Sequence, residues 1–93
     1  MSDQFVWDES KYKSNFKKHG VSFEEAKTCF YDFLHVLITD PEHSFGEQRM
    51  VLVGVSAKSR LLVVVHVDKS ENVIRIISAR KASKNERIQY EEV

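Results

Sequence analysis

The segment Leu61-Leu62-Val63-Val64-Val65-His66-Val67 is apolar at every position but one. A half-exposed strand would alternate polar and apolar residues, so a strand apolar on both faces belongs in the middle of a sheet with cover on each side. The chain is therefore expected to fold around a sheet with this strand at a central position. Ala57-Lys58-Ser59 and Lys69-Ser70-Glu71-Asn72 are hairpin-length connections. They join it to strands at about 49–56 and 73–80. One more strand is expected over Phe33–Thr39, ended by Asp40-Pro41, because proline lacks the ladder N–H and restrains its predecessor.

The remaining segments read as one short strand and three helices. Gln4 to Trp7 is an edge-like strand with Phe5 and Trp7 on one face. Asp8 is a good N-cap for a helix over 9–19, closed by Gly20. Tyr12, Phe16 and His19 share a stripe expected to face the core, while Lys11, Asn15 and Lys18 form a neighbouring stripe with a polar outlook. Ser22 is a second N-cap with Glu25 at the capping-box position, and Phe23, Ala26 and Phe30 line the apolar face of a helix to about Tyr31. Ser83 and Glu86 make a capping box for a short C-terminal helix. The order β-α-α-β-β-β-β-α predicts an α+β domain spanning residues 1–93, with a helical hairpin on one face of a mainly antiparallel sheet. The other face, or a sheet end, is left for function.

Composition narrows the classes. With 42% hydrophobic and 30% charged residues in 93, the chain is globular, and its length suits one modest core. Cys29 is the one cysteine, so no internal disulfide forms; a buried thiol in a reducing cytoplasm fits. The longest apolar run, Leu61–Val65, is too short to cross a membrane, and Met1–Gln4 lacks the marks of a signal peptide. Zero net charge argues against a large nucleic-acid footprint. That zero conceals segregation. Residues 11–19 carry Lys11, Lys13, Lys17, Lys18 and His19 with no acid, and residues 75–87 carry Arg75, Arg80, Lys81, Lys84 and Arg87 against Glu86 alone. Local basic patches on a neutral protein still steer a polyanion.

Several chemistries find no residues. The four histidines are dispersed without zinc spacing, the three glycines are isolated, and no nucleophile elbow occurs, so no metal or cofactor is expected. What remains is cations and proton-transfer groups. Arg80 and Lys81 end a strand just before the Ser83 helix start, whose N–H groups favour an anion, phosphate above all; a solvated strand-to-helix corner is the plainer reading. RNA cleavage without metal needs a base for the 2′-OH, a cation for the phosphorane and an acid for the leaving 5′-oxygen. His43 and Glu47 lie in the polar loop before Arg49, and His66 interrupts an apolar strand as either a core histidine or a proton-transfer group. Arg49 and Arg60 begin their strands; Tyr90 is either a packing anchor or a stacking platform for a base.

These strings resemble one family. Phe5-x-Trp7-Asp8 with Lys11, Asn15 and Lys18-His19-Gly20-Val21-Ser22-Phe23-Glu24-Glu25-Ala26 is similar to the N-terminal half of the BrnT family. Asp40-Pro41-x-His43-Ser44-x-x-Glu47-x-Arg49 with Gly54 looks like its middle motif, and Arg75-Ile76-Ile77-Ser78-Ala79-Arg80-Lys81-Ala82 with Glu86-Arg87 and Tyr90 like its C-terminal motif. The resemblance implies a RelE-like fold and a type II toxin that cleaves RNA and arrests translation and growth. It also implies neutralisation by BrnA, a ribbon-helix-helix antitoxin through which alone the complex meets operator DNA. On that reading Arg80 stabilises the phosphorane, and His43, His66 and Glu47 are the proton-transfer candidates. Lys11, Lys18, Arg49, Arg60, Lys81 and Tyr90 contact the RNA. One departure is the turn before the last strand, Thr-Glu-Arg-Gly-Asp or similar in the family, which lacks Gly and Arg in Val67–Asn72 here. The alternative is a non-catalytic binding module that acts as co-repressor with a DNA-binding partner. Direct DNA binding is weakly supported, since no recognition-helix pattern follows helix 9–19.

Overall fold

The computed structural model describes residues 4–40 and 47–92. Its elements are β1 (Gln4–Val6), α1 (Glu9–His19), α2 (Phe23–Thr28) running into a 3-10 turn (Cys29–Tyr31), β2 (Val36–Asp40), β3 (Arg49–Val55), β4 (Leu61–Ser70), β5 (Val73–Lys81) and α3 (Lys84–Glu91). The five-stranded sheet has the order β1-β5-β4-β3-β2 and places β4 at its centre, as its two apolar faces require. β1 runs parallel to β5, and every other neighbouring pair is antiparallel. The architecture is thus α+β.

Caps set the helix starts. The Asp8 carboxylate accepts the Lys11 N–H at 3.0 Å, and the Ser22 hydroxyl accepts the Glu25 N–H at 3.0 Å. At α3 the Ser83 hydroxyl accepts the Glu86 N–H at 3.2 Å while Glu86 accepts the Ser83 N–H at 2.7 Å. Gly20 closes α1 at φ 70°, a left-handed position that glycine takes without strain. The β4–β5 turn needs no glycine, because Asn72 adopts φ 70° in its place.

Three local expectations change. The Phe33–Thr39 strand begins only at Val36, because the Asp32 carboxylate accepts the N–H groups of Leu34 at 3.0 Å and Val55 at 2.9 Å and holds residues 32–35 in a turn. Glu25 does not reach back to its N-cap; its carboxylate turns to Arg60 and Ser56. On α1 the expected stripes are also rotated: Phe16 is 50% exposed and Asn15 only 8%. β1 covers the outer edge of β5 only over Val73–Arg75. Farther along, Asn15 stands in for a neighbouring strand. Its amide donates to the Ala79 carbonyl at 2.9 Å and the Val21 carbonyl at 3.1 Å, and it accepts the Ala79 N–H at 3.0 Å. An amide reproduces a strand's donor–acceptor pair, which hydrophobic periodicity does not register. Asn15→Ala orphans the backbone of fully buried Ala79 and is expected to cost about 2 kcal/mol of stability, read from the urea midpoint.

The main core lies between the sheet and α1–α2, around Val21, Phe23, Ala26, Cys29, Leu52, Leu62, Val64 and Ile76. Cys29 is fully buried and its thiol is pushed up to about 12 by burial, so it is inert. A Cβ on Gly54 would lie 3.0 Å from the Cys29 carbonyl, so glycine lets the 3-10 turn rest on β3. A smaller cluster on the other face joins Val53, Leu61 and Val63 to Ala82 and Tyr90.

Candidate active site on the open sheet face

Strand register defines a face opposite the α1–α2 layer. Val53, Val63 and Arg80 form one row across β3, β4 and β5; Ile38, Val51, Val65 and Ser78 form the next; Arg49, Val67 and Arg75 form a third. α3 covers one end, where Tyr90 and Ala82 pack on Val53, Leu61 and Val63. Beyond it a trough remains, floored by Ile38, Val51, Val63 and Val65 and walled by Arg80 and Glu86. Its far end carries the Arg49–Arg75 row, about 13 Å from the Arg80 row at 3.3 Å per strand residue.

Arg80 meets a carboxylate in a two-pronged pair. Its Nη1 donates to Glu86 Oε1 at 2.8 Å and its Nη2 to Oε2 at 2.7 Å. Arg80 holds the Glu86 carboxyl down at about 2, with the Ser83 bonds adding to the effect. The planar fork that grips Glu86 is the shape that grips phosphate. At the other end Glu47 accepts from Lys69 Nζ at 2.7 Å and from Arg75 Nη2 at 2.8 Å. Lys69 first and Arg75 next hold Glu47 below the usual carboxylate range, so it is ionised at neutral pH and a weaker base than a free carboxylate.

The other expected residues are distributed differently. Lys81 and Arg60 share a shallow cleft with Arg87 at the α3 start. Arg60 is committed to the fold, with Nε donating to Glu25 Oε2 at 2.9 Å and Nη2 paired with Oε1 and the Gly20 carbonyl. Tyr90 donates to Asp32 at 2.6 Å and is pushed up to about 12 by that bond, so it is a packing anchor with a protonated hydroxyl. His66 lies on the α1–α2 side of the sheet, 2% exposed, edge-on to Phe30 at 4.8 Å, and burial lowers its pKa. The sheet separates it from Arg80, and the two are not brought together. His43 lies outside the described residues. Lys11 and Lys18 line a separate groove on α1.

Glu86 lines the trough and Arg75 stands in the row at its far end; neither was among the expected site residues. Arg75 and Arg80 are five apart, which puts them on opposite faces of a regular strand. A bulge, with Val65 opposite Ser78 and His66 opposite Ile76, inserts Ile77 and turns both arginines to one face. Among the described residues, no group of three or more His, Cys, Asp or Glu side chains is placed to hold a metal. No helix among them is long and apolar enough to cross a membrane.

Comparison with known proteins assigns the family. Residues 7–86 match the family model described as ribonuclease toxin, BrnT, of type II toxin–antitoxin system. The fold is similar to the crystal structure of the Brucella abortus ribonuclease toxin BrnT, with a TM-score of 0.66 and 26% identity, over 89% of this chain and 100% of that one. Among curated proteins nothing matches. With the family model spanning most of its length, the chain belongs to the BrnT family of ribonuclease toxins of type II toxin–antitoxin systems.

Proposed function

We propose that the open trough cleaves RNA without a metal ion. One observation carries this reading: a guanidinium fork at Arg80 and a second arginine row at Arg49–Arg75 flank an apolar floor on a face that α3 only partly covers. Phosphates seat on the arginines and a base rests on Ile38, Val51 and Val65. The substrate's 2′-oxygen attacks the adjacent phosphorus and gives up its proton to His43, while Glu47, held by Lys69 and Arg75 at the far end, orients Arg75 on a neighbouring phosphate. Arg80 neutralises the phosphorane, and the 5′-oxygen leaves with a proton drawn from solvent water, to which His43 later returns the proton it took. The products are a 2′,3′-cyclic phosphate and a 5′-hydroxyl. Guanidinium groups supply the positive charge a metal would otherwise bring. His66, enclosed on the far face, has no part in the reaction. Lys81 extends the phosphate path beyond Arg80, while Arg60 and Tyr90 act through the fold.

In this account residues 1–93 form one cytoplasmic toxin domain whose cleavage blocks translation. A BrnA-like ribbon-helix-helix antitoxin neutralises it by direct binding, and operator DNA is met only through that antitoxin. Purified protein is expected to cut RNA in EDTA and to leave cyclic phosphate ends; cleavage that appears only with added divalent ions would remove the metal-free mechanism.

Glu86 occupies the fork that the phosphate must take. Glu86→Gln is therefore expected to tighten RNA binding about two- to fivefold, the worth of a partly exposed ion pair. Because Glu86 is depressed when folded, its stabilisation is complete above its ordinary value near 4.5 and is lost as pH falls towards 2. The melting-temperature gap between wild type and Glu86→Gln should close across that window. The saturated fork also favours the co-repressor reading, in which the chain binds its partner without cutting RNA; wild-type protein inert towards RNA would select it.

A further inference from the structure

A second cationic groove lies on the other side of the β5 edge. Lys11, Ser14, Asn15 and Lys18 recur at helical spacing on α1 and share one face. Asn15 fastens that face to Ala79 of β5, so Lys11 sits one turn before the anchor and Lys18 one turn after it. Ser10, Ser14, His19 and Ser78 complete a lining that contains no acidic residue. Among the described residues, no ion pair occupies Lys11 or Lys18, whereas the trough arginines Arg75 and Arg80 each hold a carboxylate. Two ammonium groups about 10 Å apart along the helix, at 1.5 Å per residue, together with hydroxyl donors suit a phosphodiester backbone. An apolar peptide finds little to bury against here, since Ile77 is the one apolar residue in the lining. Ser78 borders the groove and lies two residues from Arg80 on β5, about 7 Å along the strand.

We propose that this groove is a second phosphate track, which holds single-stranded RNA after it leaves the trough over the β5 edge. The proposal rests on the ribonuclease reading and adds to it a binding site remote from the cut. It gives a role to Lys11 and Lys18, which hold no carboxylate among the described residues although the protein has no net charge.

The test uses a labelled 2′-O-methyl oligonucleotide, which cannot be cut, and measures Kd against NaCl concentration for the full chain. For Lys11→Ala/Lys18→Ala the log–log slope should become shallower by about 1.4, from roughly 0.7 per phosphate contact on a single strand. A Lys11→Arg/Lys18→Arg variant should keep the wild-type slope. Lys13→Ala/Lys58→Ala, which removes equal charge elsewhere, should also keep it. Melting temperatures of all variants report that the fold is intact. An unchanged slope in Lys11→Ala/Lys18→Ala, or an equal fall in the Lys13→Ala/Lys58→Ala control, overturns the groove. Failure of the ribonuclease reading shows separately, as a wild-type protein that does not cleave the all-ribose version of the same oligonucleotide.

Discussion

Arg80→Ala is expected to lower RNA cleavage by about 10²- to 10³-fold, the loss that follows removal of one positioned donor to developing charge. The guanidinium fork bonds two oxygens at once, and on the phosphorane both carry more charge than in the substrate. Arg80→Lys keeps the charge but not the fork, so it should recover only part of the rate. The fold should survive, because the Arg80 and Glu86 side chains are 44% and 27% exposed and such a pair contributes at most about 1 kcal/mol. Ser83 continues to cap α3 through the Glu86 N–H. Single-turnover cleavage in EDTA, beside a melting curve, checks both halves; a wild-type rate in folded Arg80→Ala takes Arg80 out of the chemistry.

The second large effect concerns the fold. Arg60→Ala is expected to cost about 3 kcal/mol of stability, the lower end of the range for breaking a buried pair, since Arg60 keeps 30% of its side chain exposed. The carboxylate left behind is Glu25, whose side chain is 2% exposed at the start of α2. Among the described residues, Ser56 Oγ, which donates to Glu25 at 2.6 Å, would be its one remaining side-chain hydrogen-bond partner. The pair ties α2 to the β3–β4 hairpin, so its loss should shift the urea midpoint of the whole fold. Glu25 is held below its ordinary range chiefly by the Arg60 hydrogen bond. Its stabilisation is thus complete above about 4.5, the ordinary carboxyl value, and is lost as pH falls through the depressed folded value, where the gap between wild type and Arg60→Ala should narrow. An Arg60→Ala protein of unchanged stability but weaker RNA binding would restore Arg60 to the RNA surface.

Much of the fold was legible because strong local signals agreed. The doubly apolar β4 called for a central place, and Asp8, Ser22 and Ser83 each cap the helix they precede. What escaped depended on partners distant in sequence. Asn15 looked like a surface amide until Ala79, 64 residues away, supplied its partner. Glu25 had the spacing of a capping box, but a two-pronged bond to the oppositely charged Arg60 is stronger than a single bond to an uncharged N–H at a helix start. The site was half legible. The arginine at the strand end stood out by its position, whereas Arg75 joined it only through the Ile77 bulge, which alternation alone places wrongly. Glu86 read as a capping residue, and it caps; the same carboxylate also fills the Arg80 fork. His66 carried no local sign of which sheet face it would take, because both faces of β4 are apolar.

The most direct test of the trough is an amide NMR titration of isotope-labelled protein with the non-cleavable 2′-O-methyl RNA. Binding in the trough predicts shifts at Arg49, Val51, Val65, Arg75 and Arg80, with α3 resonances around Glu86 moving as the phosphate displaces its carboxylate. Saturating RNA that leaves those β3, β4 and β5 amides unmoved would contradict the placement of the active site on this face.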